Sequence, residues 1–452
     1  LLLCTLIPLV KDSLGDMQSS SNYRAIAISS LILKLLDWVI LLLEGNKLGV
    51  DQLQFGYQTN ISTAMCSWAV SAVIEHYNIR GKTVYGAALD CSKAFDMVEW
   101  LELFKELMKR GLSAVFLRVL LNIYTCQRCD VRWNNQYSTR FPVTNGVRQG
   151  AVSSGVFFCL YCDRLIKKLR DVGTGCKIGN EFAGAFVYCD DIFLLSASRA
   201  GLQSLMNTCG DFAIKNNLTF STNSDPKKSK TKCIIFGGHN GPHANVPPIM
   251  LNGNKLPWVH QVNHLGHCFD QDNKLYSDMR NKKFKFIGKI HSLAQEFYFA
   301  SPEVKVSIYD KYASSFYGSN LWNLFCHETE KLYAAYNVSI RQAYQVPFCT
   351  HRYLIQPLIQ HPHLKTQLCS KYIKFMQNND KCEKSLIRLL SALNKRDNRT
   401  VYGCNIFNIV KECQVKIEQI DPKTVQNNLV YFKIPTDAEW RIDLIHNLIN
   451  IR

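Results

Sequence analysis

The sequence predicts an α+β protein of more than one domain. The chain has 452 residues, too many for one compact core, so two or three domains are expected. Up to about residue 259, short apolar runs bounded by turn residues alternate with longer segments of helical period. From about residue 271 the pattern turns helical and more basic, with Pro347, Pro357 and Pro362 marking loops.

Composition narrows the function classes. With 47% hydrophobic and 20% charged residues the chain is globular rather than disordered. Its 53 Lys and Arg against 36 Asp and Glu give a formal charge of +17, which suggests a polyanionic partner, nucleic acid first. The 18 cysteines are scattered through apolar segments, and no C-x-x-C pair has a matching second pair. Free, mostly buried thiols in a reducing compartment are expected, not a zinc site or a disulfide scaffold. Leu1 to Val10 is too short to span a bilayer, and the very apolar stretch Ala25 to Leu43 contains Ser29, Ser30, Lys34 and Asp37. A buried helix is expected there, with no membrane association and an intracellular location in nucleus or cytoplasm. The chain begins with Leu rather than Met, so a longer parent protein is expected.

Thr5 to Asp12 reads as a strand edge running into a basic loop, and Ser19 to Tyr23 as a loop leading through Arg24 into the apolar helix. Arg24 as a bidentate fork and Lys11 as a point charge could bind a polyphosphate, or be ordinary loop cations. Gln54 to Gln58 is an aromatic-glycine turn, and Ser62 to Tyr77 a helix ended by Arg80-Gly81. Val84 to Asp90 reads as a buried strand with an acid at its carboxyl end. A helix then runs to about Arg110 with Leu101, Phe104, Leu107 and Met108 on one face, and Asp96 as its N-cap. Ala114 to Tyr124 is a helix, and a hairpin turns at Asn134-Asn135. The small-residue loop Thr144 to Gly155 lets backbone approach a ligand at Gly150 and carries Gln149, which can hydrogen-bond a nucleotide or a base.

In Phe186 to Leu195 two acids, Asp190 and Asp191, sit between two apolar runs of strand length. Neighbouring side chains on a continuing strand point to opposite faces, so both acids face one site only if the chain turns there. A β-hairpin is expected. Carboxylates held this close need a compensating cation, and oxygen ligands favour Mg²⁺ or Mn²⁺. The competing reading is an exposed turn on a surface hairpin. A helix from Gly201 to Asn216, the lysine-rich loop Pro226 to Lys232, the strand Cys233 to Phe236 and a short hairpin about Asn252-Gly253 follow. His264-Leu265-Gly266-His267 closes that region. Lys282, Lys283, Lys285 and Lys289 are interleaved with Phe284 and Phe286, which suits a surface tracking a nucleic-acid backbone; a solvated amphipathic face is the alternative.

Asp90, Asp190 and Asp191 together could hold two divalent ions, the clamp suited to in-line phosphoryl transfer. The order of motifs then resembles the reverse transcriptase of non-LTR (LINE-type, jockey-like) retrotransposons. Leu89-Asp90 with Lys93-Ala94-Phe95-Asp96 looks like that family's first palm motif, Asn145 to Val152 like the second, and Tyr188-Cys189-Asp190-Asp191 like its Tyr-x-Asp-Asp hairpin. The similarity runs from near residue 5 through Leu265-Gly266, and more loosely through Val346-Pro347 and Pro357-Leu358.

The resemblance implies a right-hand polymerase with an antiparallel palm sheet backed by helices and a helical C-terminal part. Its parts would be fingers at 1–82, palm at 83–98, an insertion at 99–147, palm at 148–270, thumb at 271–370 and a helical extension at 371–452. It implies an RNA-directed DNA polymerase working on an RNA template, a DNA primer or target and dNTPs, by target-primed synthesis, with two Mg²⁺ or Mn²⁺ ions on Asp90, Asp190 and Asp191. Phe95 would exclude a ribose 2′-hydroxyl, or simply be core. Gln149 and Gly150 would contact the incoming nucleotide, with Lys11 and Arg24 near its triphosphate. Lys230 would protonate pyrophosphate, with Lys228 and Lys232 competing for that role. Tyr188, Leu265 and Gly266 would contact the primer and template. A catalytically inactive RNA-binding relic is the alternative. Two departures stand out: Ser153-Ser154-Gly155 replaces the family's Leu-Ser-Pro, and Cys189 stands where Ala is common.

Overall fold

The computed structural model describes residues 2–223, 225, 229–237, 246–355, 359 and 362–429. Lys228, Pro357 and Leu358, each singled out above, lie outside them. The chain forms two compact units: Leu1–Cys66, Val84–Ile235 and Asn240–Val259 make the first, and Ser67–Thr83, Phe236–His239 and His260–Arg452 the second.

The first unit opens with β1 (Leu3–Val10) and β2 (Tyr23–Ser29), paired antiparallel over seven residues from Cys4↔Ser29 to Val10↔Tyr23. Sequence alone placed Ala25 to Ser29 inside a helix. The seven-pair ladder to β1 overrides that reading, and the alternating Ile26 and Ile28 fit a strand. The helix proper is α1 (Leu31–Glu44), and the Ser30 hydroxyl caps it by accepting from the Leu33 N–H. It is not a buried helix: Leu33, Asp37, Ile40 and Glu44 face inward, whereas Trp38 is 61% and Leu42 82% exposed. Next come α2 (Thr63–Asn78), most of which belongs to the second unit, β3 (Val84–Ser92) and α3 (Trp100–Lys109). The expected helix before Trp100 is broken. Ala94–Met97 is a 3-10 turn that contains Asp96, and Glu99 stands at the N-cap instead. The inward face of α3 is Leu103, Glu106 and Leu107, whereas Leu101 and Met108 are exposed. After α4 (Ala114–Cys126), β4 (Arg128–Trp133) joins β1 in parallel, with β5 (Gln136–Tyr137) and β6 (Phe141–Pro142) folding back onto it.

The second sheet of this unit carries the acids. Helix α5 (Ser154–Asp171) is buried along most of its length and leads to the short pair β7 (Lys177–Ile178) and β8 (Glu181–Phe182). Then come β9 (Ala185–Tyr188), β10 (Asp191–Ser196), α6 (Arg199–Lys215), β11 (Thr219–Phe220) and β12 (Lys232–Phe236). The strand order is β11-β3-β10-β9, with β12 also on β3, and the β9, β10, β3 and β11 pairings are antiparallel. Helices α5 and α6 pack against it, and Phe157, Phe158, Phe186, Phe193, Leu194 and Phe212 are all essentially excluded from solvent. Each such side chain contributes roughly 1.5–3 kcal/mol. The hairpin β13 (Ile249–Leu251) and β14 (Asn254–Leu256) turns at Asn252-Gly253, as expected, and lies on α6.

Besides most of α2, the second unit holds the hairpin β15 (Gln261–His264) and β16 (His267–Asp270). The helices α7 (Tyr276–Glu296), α8 (Pro302–Tyr312), α9 (His327–Tyr344), α10 (Leu364–Asp380), α11 (Ser385–Lys395), α12 (Val401–Cys413) and α13 (Pro422–Asn428) follow. Helix α7 packs on β16, α8 and α9, and α10 contacts α9, α11 and α13. The 18 cysteines are free thiols, most of them buried. Among the described residues no helix is long and apolar enough to cross a membrane.

Candidate active site

Register brings the distant acids together. Asp191 opens β10 and lies directly across from Asp90 on β3, with Tyr188 of β9 on its other side. Opposed residues of antiparallel strands put their side chains on one face, about 4.5–5.5 Å apart at Cβ. The turn between β9 and β10 is Cys189-Asp190, with Cys189 in the left-handed region at φ 59°. The expected hairpin and its turn are therefore both present.

The turn is held from behind by a residue that sequence reasoning placed only in a nearby turn. Gln54 is fully buried, and its Oε1 accepts from the Cys189 N–H (3.0 Å) and the Gly56 N–H (2.9 Å). Phe55 N–H donates to Val187 O and Val187 N–H to Leu53 O, so this segment runs along the free edge of β9. Cys189 Sγ lies 3.7 Å from Cys159 Sγ of α5. The other departure is also accommodated: a Cβ at Gly155 would strike the Tyr57 ring, so that small residue makes room for it.

The electrostatics of the acids are unfavourable as they stand. Burial, then the Asp190 and Asp90 charges, push the Asp191 carboxyl up to about 6. Burial also raises Asp190, against the opposing pull of Arg24. Asp90 Oδ2 lies 3.7 Å from Lys230 Nζ. Among the described residues no three Asp, Glu, His or Cys side chains are gathered closely enough to form a ready cation site. The donor set is nonetheless of the type a hard divalent ion takes: three half-buried carboxylates at one end of a sheet.

Cations border the acids. Burial lowers the Lys11 ammonium, and Lys230, Arg24 and Lys93 lower it further. Four positive groups thus share one field, a setting for an anion. Arg24 sits on β2 across from Leu9. The loop 146–150 ties this corner together. Gly146 N–H donates to Val98 O, and Val147 N–H to Phe95 O, both at 2.8 Å. On the other side the Ala27 N–H of β2 donates to Gln149 O at 2.7 Å. Gly150 has φ 115°, and a Cβ there would lie 2.8 Å from Ala27 O, so only glycine fits. The Phe95 ring stacks on Phe158 of α5 at 4.8 Å. Beneath the loop, Arg148 pairs with Asp37 of α1 (3.3 Å), both buried. Asp37, read from sequence as an interruption of an apolar run, is this partner.

Asp90, Asp190, Asp191, Lys230, Lys11, Arg24, Phe95, Gln149, Gly150 and Tyr188 all lie in the first unit. Leu265, Gly266, Lys282, Lys283, Lys285 and Lys289 lie in the second. Lys285 and Lys289 are exposed on α7, whereas the Lys282 ammonium turns inward to Asp278 at 2.9 Å.

Residues 11–288 match the reverse transcriptase (RNA-dependent DNA polymerase) family, and the chain belongs to it. The relatives it is similar to include proteins of retrotransposable elements. It is 28% identical over 191 residues to the Pol polyprotein of the type-2 retrotransposable element R2DM of Drosophila melanogaster, covering 42% of this chain and 18% of that protein. It is 24% identical over 320 residues to a probable RNA-directed DNA polymerase from the Drosophila melanogaster transposon X-element, covering 68% of this chain and 33% of that one. The chain thus spans less than half the length of either relative. Among solved structures, apo telomerase from Candida tropicalis aligns over 94% of this chain and 67% of its own, at 10% identity and a TM-score of 0.42.

Proposed function

We propose that this chain polymerises DNA on an RNA template, transferring dNTPs onto a primer 3′-hydroxyl, with a nicked DNA target as the source of primer. The observation that carries this reading is the Asp90–Asp191 cross-strand pair with Asp190 in the adjoining turn. In it, Asp90, Asp190 and Asp191 hold the metal. When bound, two Mg²⁺ or Mn²⁺ ions supply a lowered pKa for the primer hydroxyl and charge neutralisation for the leaving pyrophosphate. Lys11 and Arg24 bind the triphosphate. Lys230, freed from Asp90, delivers a proton to pyrophosphate. Gln149 and Gly150 orient the incoming nucleotide, and the Phe95 ring, backed by Phe158, closes the space a ribose 2′-hydroxyl would need. Tyr188 supports the primer end beside Asp191. The fingers and palm correspond to the first unit and the thumb to the second, with Leu265 and Gly266 at the primer.

The test is primer extension on an RNA template with dNTPs and Mg²⁺. Wild type should extend, and Asp190→Asn should lose at least about a hundredfold in rate while keeping RNA binding. Wild type that binds RNA but never extends would identify a non-catalytic relic instead.

A further inference from the structure

Helix α1 is amphipathic with its sides exchanged. The inward side holds Leu33, Asp37, Ile40 and Glu44. Both acids are answered locally, Asp37 by Arg148 at 3.3 Å and Glu44 by Lys47 at 2.7 Å. Every exposed residue of the helix, by contrast, is a large apolar one. Leu31, Leu35, Trp38 and Leu42 are 72%, 56%, 61% and 82% exposed. They follow one another at steps of four, three and four, the spacing of a helix-pairing seam. Ile32, Val39 and Leu43 widen that seam on one side. At 3.6 residues per turn the seven lie in one stripe roughly 140° wide. Lys34, the one cation of α1, stands outside the stripe and is only partly exposed.

The stripe presents on the order of 800 Å² of apolar surface, above the roughly 300–600 Å² of the largest patch on a typical monomer and about what one partner gives to a standard interface. Its chemistry narrows what covers it. A polyanion finds no cation on it. A helix that lies on a lipid surface backs its apolar side with a basic one, and α1 has Lys34 alone. An uncharged stripe is instead complementary to itself: two copies meet across a two-fold axis without burying an unpaired charge. Elsewhere the +17 charge of each chain holds copies apart. We propose that α1 is a self-association surface: a second copy of this chain docks on it, α1 against α1 about a two-fold axis, with Trp38 as the anchor beside that axis. Together the two stripes bury on the order of 1,600 Å², the area of a stable interface.

This inference stands apart from the polymerase reading, and its test has no catalytic step. Sedimentation velocity of the full chain reads the association over about 0.1–100 μM, where an interface of this size is expected to form. Salt is kept high enough to screen the net charge. Wild type should be a dimer at the upper end of that range. Trp38→Ser and Leu42→Gln alter only the outward side of α1, so circular dichroism should be unchanged. Each should raise the dimer dissociation constant about tenfold or more, and together they should leave a monomer. Ile214→Gln, at a residue of α6 that is as exposed as those of the stripe, should dissociate like wild type. A wild type that is monomeric throughout would overturn the proposal. So would a dimer indifferent to both α1 variants, which would use another face, or one weakened equally by Ile214→Gln, which would be general stickiness. A monomer that floats with anionic lipid vesicles through Trp38 would give the stripe to a membrane surface and overturn it as well.

Discussion

At the residue scale, most of the site was legible because its chemistry is local. Adjacent acids flanked by strand-length apolar runs announced the hairpin, and an acid closing an apolar run announced Asp90. What stayed hidden needed tertiary partners. Gln54 looks like any polar residue in a turn until its carboxamide is seen under the Cys189 N–H. Asp37 looks like a flaw in an apolar helix until Arg148 is seen across from it. Phe95 could be read either way; its ring stacks on the buried Phe158, and the proposed function sets it against the sugar. Phe95→Val should therefore raise ribonucleotide incorporation relative to dNTP use, by about 10- to 200-fold for a pocket contact of this size. Single-nucleotide incorporation with paired rNTP and dNTP checks it. Unchanged sugar selectivity would return Phe95 to a core role.

At the element scale, periodicity succeeded where an element faces one environment and failed where it does not. The buried strands β3 and β10 were found as apolar runs. The strand β2 was lost because Ala25 to Ser29 runs without a break into the apolar α1, and only pairing with β1 decides it. Helix α2 carries a different kind of information. Burial pushes the Glu75 carboxyl up to about 7 from an ordinary 4.5, against the hydrogen bond from Val401 N–H and with the Asp397 charge adding to the rise. The folded chain thus holds this proton to about pH 7, whereas the unfolded chain releases it near 4.5. Between those values the folded state binds more protons, so stability falls as pH rises, fully so above about 7. Glu75→Gln keeps an acceptor for Val401 and removes the ionisation. Its melting temperature should match wild type near pH 4.5 and exceed it at pH 8, by the equivalent of on the order of 1–3 kcal/mol. The same difference at both pH values would contradict the assignment.

At the scale of the whole molecule, the charge of +17 acquires addresses. Part of it gathers around Lys11 as Arg24, Lys93 and Lys230, and part lies on α7. Replacing Lys283, Lys285 and Lys289 with Gln should weaken primer–template binding and flatten its dependence on salt, by about 0.7–0.9 in logarithmic slope for each phosphate no longer neutralised. Binding isotherms at several salt concentrations read this directly, and an unchanged slope would make the helix a merely solvated face. The central proposal is narrower: Asp90 and Asp191, paired by strand register, and Asp190 in the adjoining turn would hold a divalent cation. Mn²⁺ uptake followed by electron paramagnetic resonance, on wild type and on Asp90→Asn and Asp190→Asn, tests it most directly. Wild type should take up Mn²⁺ saturably, and both variants should lose that uptake with their circular dichroism intact. Equal Mn²⁺ uptake by wild type and both variants would contradict it.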